Sequence, residues 1–355
     1  MILVYNPTCE MAVRADTVNY QPPAPLVAFE QKWAPLMMFF ASSASDAVVG
    51  ASPSDEVLSF WRDKGAIVPQ FISLSEAKKR VCSGEMLRPW GISKEVLYRF
   101  GGHELSAQFT TEHRQLFSRL SSVALDDALA QLKLPTWCQQ TERPQVFRSA
   151  DELHHRIQLR PCVLKSLWSA SGRGVTIVDK AEYVPSTFRR YEAYMRTDSA
   201  VVVEPLLHRL VDFAMLFSLA SDGSVTYCGK NFYRSDKSGK FGVELIGYNP
   251  LQPYEDSGDL PSDWEQVASQ LFSNAIRSLG WHKLYCGPVG VDSMLYSDEC
   301  GRIKMRLCIE ANLRYTMGNI NMAIAQVLGN GVQMEWGIGN GAEFSFLPHS
   351  RESFI

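Results

Sequence analysis

The stretch from Ile303 to Asn312 constrains the fold of this chain more than any other part of the sequence. Apolar and polar residues alternate along it, which is the pattern of a β-strand with two different faces. Glu310 and Asn312 are therefore expected on the same face, with their backbone positions roughly 7 Å apart. Two oxygen donors at this spacing suit a hard divalent cation.

A second carboxylate precedes this strand at a symmetric position. Asp292 lies nine residues before Gly301, and Glu310 lies nine residues after it. A hairpin with its tip at Gly301 places the two carboxylates opposite each other on one face. Two carboxylates this close repel each other, and this raises the pKa of one of them unless a cation lies between them. The residues alone leave a second interpretation open, in which Asp292 is an ordinary acid near a turn and Glu310 pairs with Arg306 or Arg314.

A loop rich in Ser and Gly follows a short strand in the middle of the chain. The first strand ends at Lys165, and the loop leads into a second strand, Val175–Val178. Small residues let backbone N–H groups approach phosphate oxygens, and a lysine adds a positive charge beside them. A flexible turn with an exposed lysine is the alternative. The candidate phosphate-binding residues are Lys165, Ser169, Ser171, Gly172, Arg173 and Gly174.

A strand of valines leads into the next candidate segment. This strand ends at Glu204, and Leu206 and Leu207 follow it closely. A flat apolar surface with free backbone groups at its end is what an adenine ring requires. These residues are therefore candidates for binding a nucleotide base, and Asp212 on the next strand is a candidate acceptor for ribose hydroxyls. A plain core strand with an exposed turn explains the same residues.

Together and in this order, these segments resemble the ATP-grasp superfamily of carboxylate–amine (or thiol) ligases, with a pattern similar to that of D-alanine–D-alanine ligase. The resemblance extends over about residues 111–325. It implies ATP and Mg²⁺ as cofactors, with Lys165 and the loop 169–174 near the phosphates and Glu204 near the adenine amino group. It implies metal ligands at Asp292, Glu310 and Asn312.

The sequence departs from the family pattern at several points. Gly290 stands where the family usually has an arginine, so Arg314 is expected to contact the acyl phosphate instead. The upstream phosphate-binding lysine of the family has no clear match, and Arg114 and Arg119 are candidates for its role. Lys230 is a further candidate for the nucleotide or transfer site, although a solvated charged loop explains it equally well.

The resemblance implies a reaction in two steps. A substrate carboxylate becomes an acyl phosphate at the expense of ATP, and an amine then displaces phosphate to form an amide or peptide bond, with release of ADP and Pi. The expected partners are small carboxylates and amines, possible examples being amino acids or peptides. A homodimer is one expected assembly. An ATP-grasp kinase that phosphorylates a hydroxyl and a non-catalytic nucleotide-binding protein are the alternatives.

Strands that alternate with helical patterns predict an α/β and α+β architecture. The resemblance implies an ATP-grasp fold, in which two α+β subdomains clamp ATP, preceded by an N-terminal α/β domain. A single helix is expected over Thr111–Lys133, where apolar residues recur at three- and four-residue spacing. The expected domains are 1–110 as the N-terminal domain, 111–204 and 205–330 as the two ATP-grasp subdomains, and 331–355 as an unassigned tail.

Composition excludes several classes of protein. The net charge of −3, without long runs of one sign, does not predict binding to nucleic acid or anionic lipid. The longest apolar run, Ala34–Ala41, is too short to cross a membrane. The eight cysteines are scattered and form no C-x-x-C pair, which is typical of reduced thiols in a cytoplasmic protein. The glycines at 337–341 lack the strand and third glycine of a Rossmann dinucleotide motif.

Overall fold

The computed structural model describes residues 1–140, 142–169, 174–179, 185–236 and 241–337. These residues form a mixed α/β structure with several sheets, as the alternation of strand and helix patterns predicts. Among the residues described, no helix is both long and apolar enough to cross a membrane.

The strands are mostly short in the first part of the chain and longer in the second. They are β1 Ile2–Val4, β2 Ala47–Val49, β3 Gln70–Ile72, β4 Leu87–Pro89, β5 Gln145–Phe147, β6 Cys162–Ser166, β7 Val175–Val178, β8 Val201–Pro205, β9 His208–Leu219, β10 Val225–Ser235, β11 Phe241–Ile246, β12 Gly287–Ser297, β13 Ile303–Asn312 and β14 Met334–Trp336.

The α-helices are distributed along the whole described chain. They are α1 Cys9–Ala15, α2 Ala24–Trp33, α3 Asp55–Asp63, α4 Leu74–Cys82, α5 Lys94–Ser106, α6 Thr111–Leu116, α7 Leu120–Ala130, α8 Ala150–Leu159, α9 Pro185–Asp198, α10 Gln252–Asp256, α11 Trp264–Ser278 and α12 Met317–Leu328. Short 3-10 helices cover Ala34–Phe40, Thr136–Cys138 and Trp281–Lys283.

The chain forms two compact units, and neither is one continuous stretch of sequence. The first contains residues 1–114 and 243–248 and the described residues from 314 onward. The second contains residues 115–242 and 249–313. The predicted N-terminal domain ends near the first of these boundaries, whereas the two later segments of the first unit were not anticipated.

The first unit is built on a parallel sheet in the order β3-β2-β1-β4. Alternate residues of β1 enter two different cores, because successive side chains of a strand point to opposite faces. Ile2 and Val4 pack with Val96 and Phe100 of α5. Leu3 lies in the second core, whose buried aromatic residues are Tyr5, Trp33, Trp61, Trp90, Tyr315 and Trp336. Helices or turns therefore cover both faces of this small sheet, as in other parallel sheets.

The turn after β1 is fixed by one side chain. Asn6 Nδ2 donates to the carbonyl of Gly91 at 2.8 Å, and the Gly91 N–H donates back to Asn6 Oδ1 at 3.3 Å. A Cβ atom at position 91 would meet the Cys9 Sγ at 2.3 Å, so this position accepts only glycine without a shift of its neighbours. The Asn6 side chain thus continues the pairing of β1 with β4 beyond the ends of the two strands.

The second unit contains two antiparallel sheets. The first has the order β5-β8-β6-β7 and packs against α8 and α9 through Leu153, Ile157 and Tyr191. In the second, strands run in the order β13-β12-β9-β10. Aromatic pairs join this sheet to α11, with Phe213–Trp264 and Phe217–Phe272 ring centroids both 5.6 Å apart. One face of the second sheet is therefore covered by α11.

The single helix predicted over Thr111–Lys133 is wrong, because the chain forms α6 and α7 with a break before Leu120. The backbone N–H of Arg119 donates to the carbonyl of Leu167 at 2.9 Å instead of continuing the helical ladder. The apolar spacing continues across the break, so periodicity alone could not reveal it. The break places Arg119 against the end of β6.

Candidate functional site

The pairing of β12 with β13 determines the geometry of the candidate metal site. Asp292 pairs with Glu310, and Gly290 pairs with Asn312, in an antiparallel ladder. The register predicted from the sequence is therefore confirmed. Asn312 Nδ2 donates to Asp292 Oδ2 at 3.1 Å, which leaves the amide oxygen of Asn312 for another contact. Two carboxylates and one amide thus lie together on one face of the sheet.

The predicted hairpin has the correct partners but a different tip. Near the tip, Ser297 pairs with Ile303, so this part of the ladder is centred on Cys300. The pairing of Asp292 with Glu310 is instead centred on Gly301. The two ladders are reconciled by a bulge, in which residues 307–309 of β13 lie opposite Ser293 alone. The tip position assumed from the sequence was therefore wrong, although the resulting partners were right.

Side chains satisfy all three carbonyls of the bulge. Ser293 Oγ donates to the carbonyl of Leu307 at 2.6 Å, and Arg306 Nε donates to that of Cys308 at 3.2 Å. Lys165 Nζ donates to the carbonyl of Ile309 at 3.1 Å. A bulge removes backbone groups from the ladder, and buried polar groups are costly without partners. These contacts therefore stabilise the bulge, and one of them brings Lys165 next to Glu310.

Glu310 pairs with an arginine that neither interpretation of the sequence assigned to it. Arg119 Nη2 lies 3.1 Å from Glu310 Oε1. The alternative partners are engaged elsewhere, because Arg306 pairs with Asp126 at 2.8 Å and Arg314 pairs with Glu10 within the first unit. The interpretation in which Glu310 pairs with Arg306 or Arg314 is therefore wrong.

Lys165 comes to the site from the other sheet of the second unit. In the pairing of β6 with β8, Lys165 lies diagonally across from Glu204 on the same face, because Val163 pairs with Glu204. Lys165 Nζ contacts Glu204 Oε2 at 2.7 Å, and both side chains are largely buried. The alternative of an exposed lysine on a flexible turn is wrong, since Lys165 is buried and holds two acceptors.

Arg119 also holds the start of the Ser/Gly loop. It is 4% exposed, and its Nη1 donates to the carbonyl of Ser166 and to Ser169 Oγ at 2.5 and 2.6 Å. After the loop, Gly174 accepts a backbone hydrogen bond from Ser166 at 2.9 Å and has a φ of +71°. The candidates Ser171, Gly172 and Arg173 lie outside the described residues.

The nucleotide-base candidates lie between β8 and β9. Leu206 is 37% exposed, which is unusual for a leucine and leaves an apolar surface available. Leu207 is half-buried and follows it directly. Asp212 is half-buried on β9, and this partial burial raises its pKa against the opposing effect of Arg209, whose Nη1 donates to Asp212 Oδ2 at 3.1 Å.

Lys230 must be removed from the set of candidates around Asp292. Ala214 pairs with both Asp292 and Asn231, so Asn231 shares the face of the carboxylates and Lys230 lies on the opposite face. Lys230 Nζ contacts Glu265 Oε2 of α11 at 2.6 Å and lies 5.1 Å from the centroid of the Trp264 ring. The buried Asn231 was missed, and only the register of β9 and β10 could have identified it.

The charge balance of the site allows one further cation. Asp292 and Glu310 supply two carboxylates, and Arg119 supplies one positive charge beside them. Within the described ranges, no three or more His, Cys, Asp or Glu side chains form a group that could hold a metal ion. The donor set is therefore two carboxylates and the Asn312 amide, which fits Mg²⁺ because that ion takes few protein carboxylates and keeps other oxygen ligands.

No protein-family model and no curated protein matches the chain. Solved structures are similar at low identity. An L-amino acid ligase from Bacillus licheniformis has 13% identity and a TM-score of 0.49, with 92% of this chain and 70% of that chain covered. An N5-carboxyaminoimidazole synthetase from Staphylococcus aureus, complexed with ADP, has 11% identity and a TM-score of 0.47, with 93% and 78% covered.

A third similar structure is the biotin carboxylase domain of a 2-oxoglutarate carboxylase from Hydrogenobacter thermophilus, in complex with MgADP, ADP and bicarbonate. It has 14% identity and a TM-score of 0.44, with 93% of this chain and 70% of that chain covered. The likeness to all three is distant.

Proposed function

We propose that the chain is an ATP-dependent ligase of the ATP-grasp kind, which activates a substrate carboxylate as an acyl phosphate for attack by an amine. One observation carries the proposal. Lys165 from one sheet donates to the carbonyl beside Glu310, while Asp292 and Asn312 lie opposite and next to that carboxylate on the other sheet. A lysine and three oxygen donors together suit a metal-bound polyphosphate.

Asp292, Glu310 and Asn312 are the residues proposed to hold magnesium. When bound, the ion would neutralise negative charge on the phosphates during phosphoryl transfer. The bulge of β13 keeps Glu310 opposite Asp292, so the carboxylates need no rearrangement of the backbone to share a ligand. Arg119 neutralises part of their charge, which lowers the repulsion between them in the absence of a metal.

Two buried cations are proposed to position the phosphates. Lys165 and Arg119 are both held by carboxylates and by backbone carbonyls, so their charged groups are already oriented. Prior orientation of charge is the largest contribution that a protein makes to phosphoryl transfer. Arg119 is therefore proposed for the role that the sequence left open between Arg114 and Arg119. Arg114 instead donates to the carbonyls of Val13 and Arg14 in the first unit.

The remaining assignments concern the nucleoside and the acyl group. Leu206 and Leu207 are proposed to contact the adenine ring, and Asp212 to accept hydrogen bonds from the ribose. Closure of the Ser/Gly loop would exclude water from the acyl phosphate, which otherwise hydrolyses. Arg314 as a contact of the acyl phosphate is proposed from the family resemblance alone. The amine attacks the acyl carbon, phosphate leaves, and an amide results.

Glu310→Gln tests the metal assignment. The glutamine keeps a hydrogen-bond acceptor for Arg119 but removes the negative charge, so we expect MgATP affinity to fall roughly tenfold or more and ADP release to fall further. Calorimetric titration with ATP, with and without Mg²⁺, measures the effect. Glu299→Gln is the matched control, because Glu299 is an exposed carboxylate at the tip of the same hairpin. Equal MgATP affinity in both variants would refute the assignment.

The identity of the products tests the reaction. Pairs of small acids and amines are screened for nucleotide release, and ADP is the expected product. Release of AMP would exclude the acyl-phosphate route. Hydroxylamine, added in place of the amine, should give a hydroxamate. ADP formation without a hydroxamate, from a substrate that carries a hydroxyl, would instead indicate a kinase.

A further inference from the structure

The proposed metal ligand Glu310 already contacts a cation of the protein. Both of its carboxylate oxygens lie near Arg119 Nη2, Oε1 at 3.1 Å and Oε2 at 3.4 Å. Asp292 pairs with Glu310 in the ladder of β12 and β13, so Arg119 and the proposed metal site share one carboxylate. Two cations beside one carboxylate repel each other. An ion that takes an oxygen of Glu310 therefore competes with Arg119 for it.

The arginine is the fixed partner of this ion pair. Its Nη1 donates to the carbonyl of Ser166 and to Ser169 Oγ, and its backbone N–H donates to the carbonyl of Leu167. The side chain of Arg119 is 4% exposed, whereas that of Glu310 is 24% exposed. The better-anchored and less accessible group is the less mobile one, because its movement leaves buried donors and acceptors without partners. A ligand at the site therefore moves the carboxylate of Glu310 and not the guanidinium.

The Nη2 group is the part of Arg119 that can exchange its partner. It contacts Glu310 and, at 3.3 Å, the carbonyl of Ser169, while Nη1 holds the end of β6. A guanidinium group presents its N–H donors in a fixed fork that suits phosphate oxygens as well as carboxylates. A phosphate beside the proposed metal site therefore offers Nη2 an acceptor in place of Glu310.

We propose that Arg119 makes the binding of Mg²⁺ at Asp292 and Glu310 depend on the nucleotide. In the absence of nucleotide, Arg119 holds Glu310, and its positive charge opposes the binding of a free divalent cation. When nucleotide and ion bind together, Arg119 exchanges Glu310 for a phosphate oxygen, and Glu310 becomes available as a metal ligand. The two ligands are thereby coupled through one arginine. This inference rests on the proposed function, in which the chain binds MgATP.

Binding of a divalent cation alone tests the inference without turnover. Mn²⁺ is titrated into the full chain without nucleotide, and the EPR signal of the free ion measures its binding. Arg119→Met should bind Mn²⁺ about tenfold more tightly than the unchanged chain, because a positive charge beside the site is removed. The same variant should bind MgATP about tenfold more weakly, because a phosphate contact is lost. Structural damage would weaken both, so an equal or lower Mn²⁺ affinity in Arg119→Met would overturn the proposal.

Two further variants show whether the charge of Arg119 is responsible. Arg119→Lys keeps the positive charge, so its Mn²⁺ affinity should stay within about twofold of that of the unchanged chain. Arg302→Met is the matched control, because Arg302 is an exposed arginine near the tip of the same hairpin and pairs with Asp298 at 2.8 Å. Its Mn²⁺ affinity should also be unchanged. A gain in Mn²⁺ affinity that is equal in Arg302→Met and Arg119→Met would contradict the role of Arg119.

Nucleotide without metal gives a second test, in which Arg119 stays in place. Glu310→Gln frees Arg119 from its ion pair and removes a negative charge, so ATP in the presence of EDTA should bind about fivefold more tightly than to the unchanged chain. MgATP should bind more weakly to the same variant, because a metal ligand is lost. Calorimetric titration measures both affinities. An unchanged or lower affinity for ATP in EDTA would also overturn the proposal.

The unchanged chain separates this inference from the proposed function. If it binds MgATP but Arg119→Met gains no affinity for Mn²⁺ alone, the ligase proposal stands and the coupling through Arg119 is refuted. Failure of the unchanged chain to bind MgATP would instead refute the ligase proposal, whatever the affinity of the variants for Mn²⁺.

Discussion

At the scale of single residues, the candidate site is held by cationic side chains that each contact at least two acceptors. Lys165 contacts Glu204 and the carbonyl of Ile309, and Arg119 contacts Glu310 and the carbonyl of Ser166. Such residues stabilise the fold and are proposed to bind phosphates as well. Substituting one alone therefore mixes the loss of stability with the loss of binding.

A paired substitution separates the two roles of Lys165. Lys165→Met should lower the free energy of unfolding by about 3 kcal/mol, because Glu204 is left buried without its cation. Adding Glu204→Gln should recover much of this loss, whereas MgATP affinity should stay low in the double variant. Denaturant unfolding and calorimetry measure the two effects. Recovery of MgATP affinity in the double variant would show that Lys165 serves the fold alone.

The pH dependence of stability reports on Glu30. Burial raises its pKa above the ordinary value of 4.5, so the folded state binds the proton more tightly than the unfolded chain. The stability that protonated Glu30 contributes is fully present below pH 4.5 and is lost as the pH rises through the raised pKa of the folded state. The Glu30→Gln variant should therefore be as stable as the unchanged chain at about pH 4 and more stable than it at about pH 8. An equal difference in the free energy of unfolding between the two proteins at both pH values would contradict a raised pKa of Glu30.

The sequence could predict that Asp292, Glu310 and Asn312 lie together, but not all of the contacts that these residues make. The pairing of Asp292 with Glu310 was predicted from symmetry about Gly301, but the hairpin reaches this pairing through the bulge of β13 and not through a tip at Gly301. The contact between Arg119 and Glu310 spans 191 positions and depends on how two distant segments pack. The sequence could not show on which face of the sheet Lys230 lies, because that depends on how β9 pairs with both β10 and β12.

At the scale of elements, two irregularities of the backbone determine where the residues of the candidate site lie. The bulge of β13 carries the carbonyl that holds Lys165, and the break before α7 places Arg119 beside Ser166. The helix α7 also packs against β13, where Ser122 Oγ accepts a hydrogen bond from the Ala311 N–H at 2.9 Å. Regular periodicity predicts regular elements, and for that reason it missed both the break and the bulge.

Gly174, directly before β7, gives a test at this scale. Gly174→Ala should destabilise the chain by about 1–3 kcal/mol, because the φ of +71° disfavours a side chain and the new Cβ would meet Ser166 Oγ at 2.3 Å. Gly301→Ala is the matched control, with a φ of +77° and open space around its Cβ position. Denaturant unfolding should show the larger loss for Gly174→Ala, and the reverse order would contradict the crowding.

At the scale of the whole molecule, each unit is assembled from segments that are far apart in sequence. The core of the first unit contains Trp33 and Trp61 near the start of the chain and Ile324 and Trp336 near its end. The sequence predicted the α/β class of the fold. It could not assign β14 to the first unit, because the pairing of β14 with β11 joins residues about ninety positions apart.

Asn321 ties three segments of the first unit together. Its Nδ2 donates to the carbonyl of Leu245 at 3.0 Å, and its Oδ1 accepts from Trp336 Nε1 at 2.6 Å. Asn321→Ala should lower the free energy of unfolding by about 2–4 kcal/mol, because two buried polar groups lose their partner. Gln326→Ala is the control, since Gln326 is exposed on the same helix. Similar unfolding midpoints for the two variants would contradict this role of Asn321.

The bulge of β13 separates the hairpin tip from the candidate site. Residues 307–309 absorb the difference between the two ladders, and Ser293 and Lys165 hold them there. The distance along the chain from the tip therefore does not set the register at Asp292. The loop at Glu299 can lengthen or shorten during evolution while the carboxylates keep their places. The same loop is a permissive point for inserting a reporter peptide, and residue counting from the tip is a poor way to align this hairpin with others.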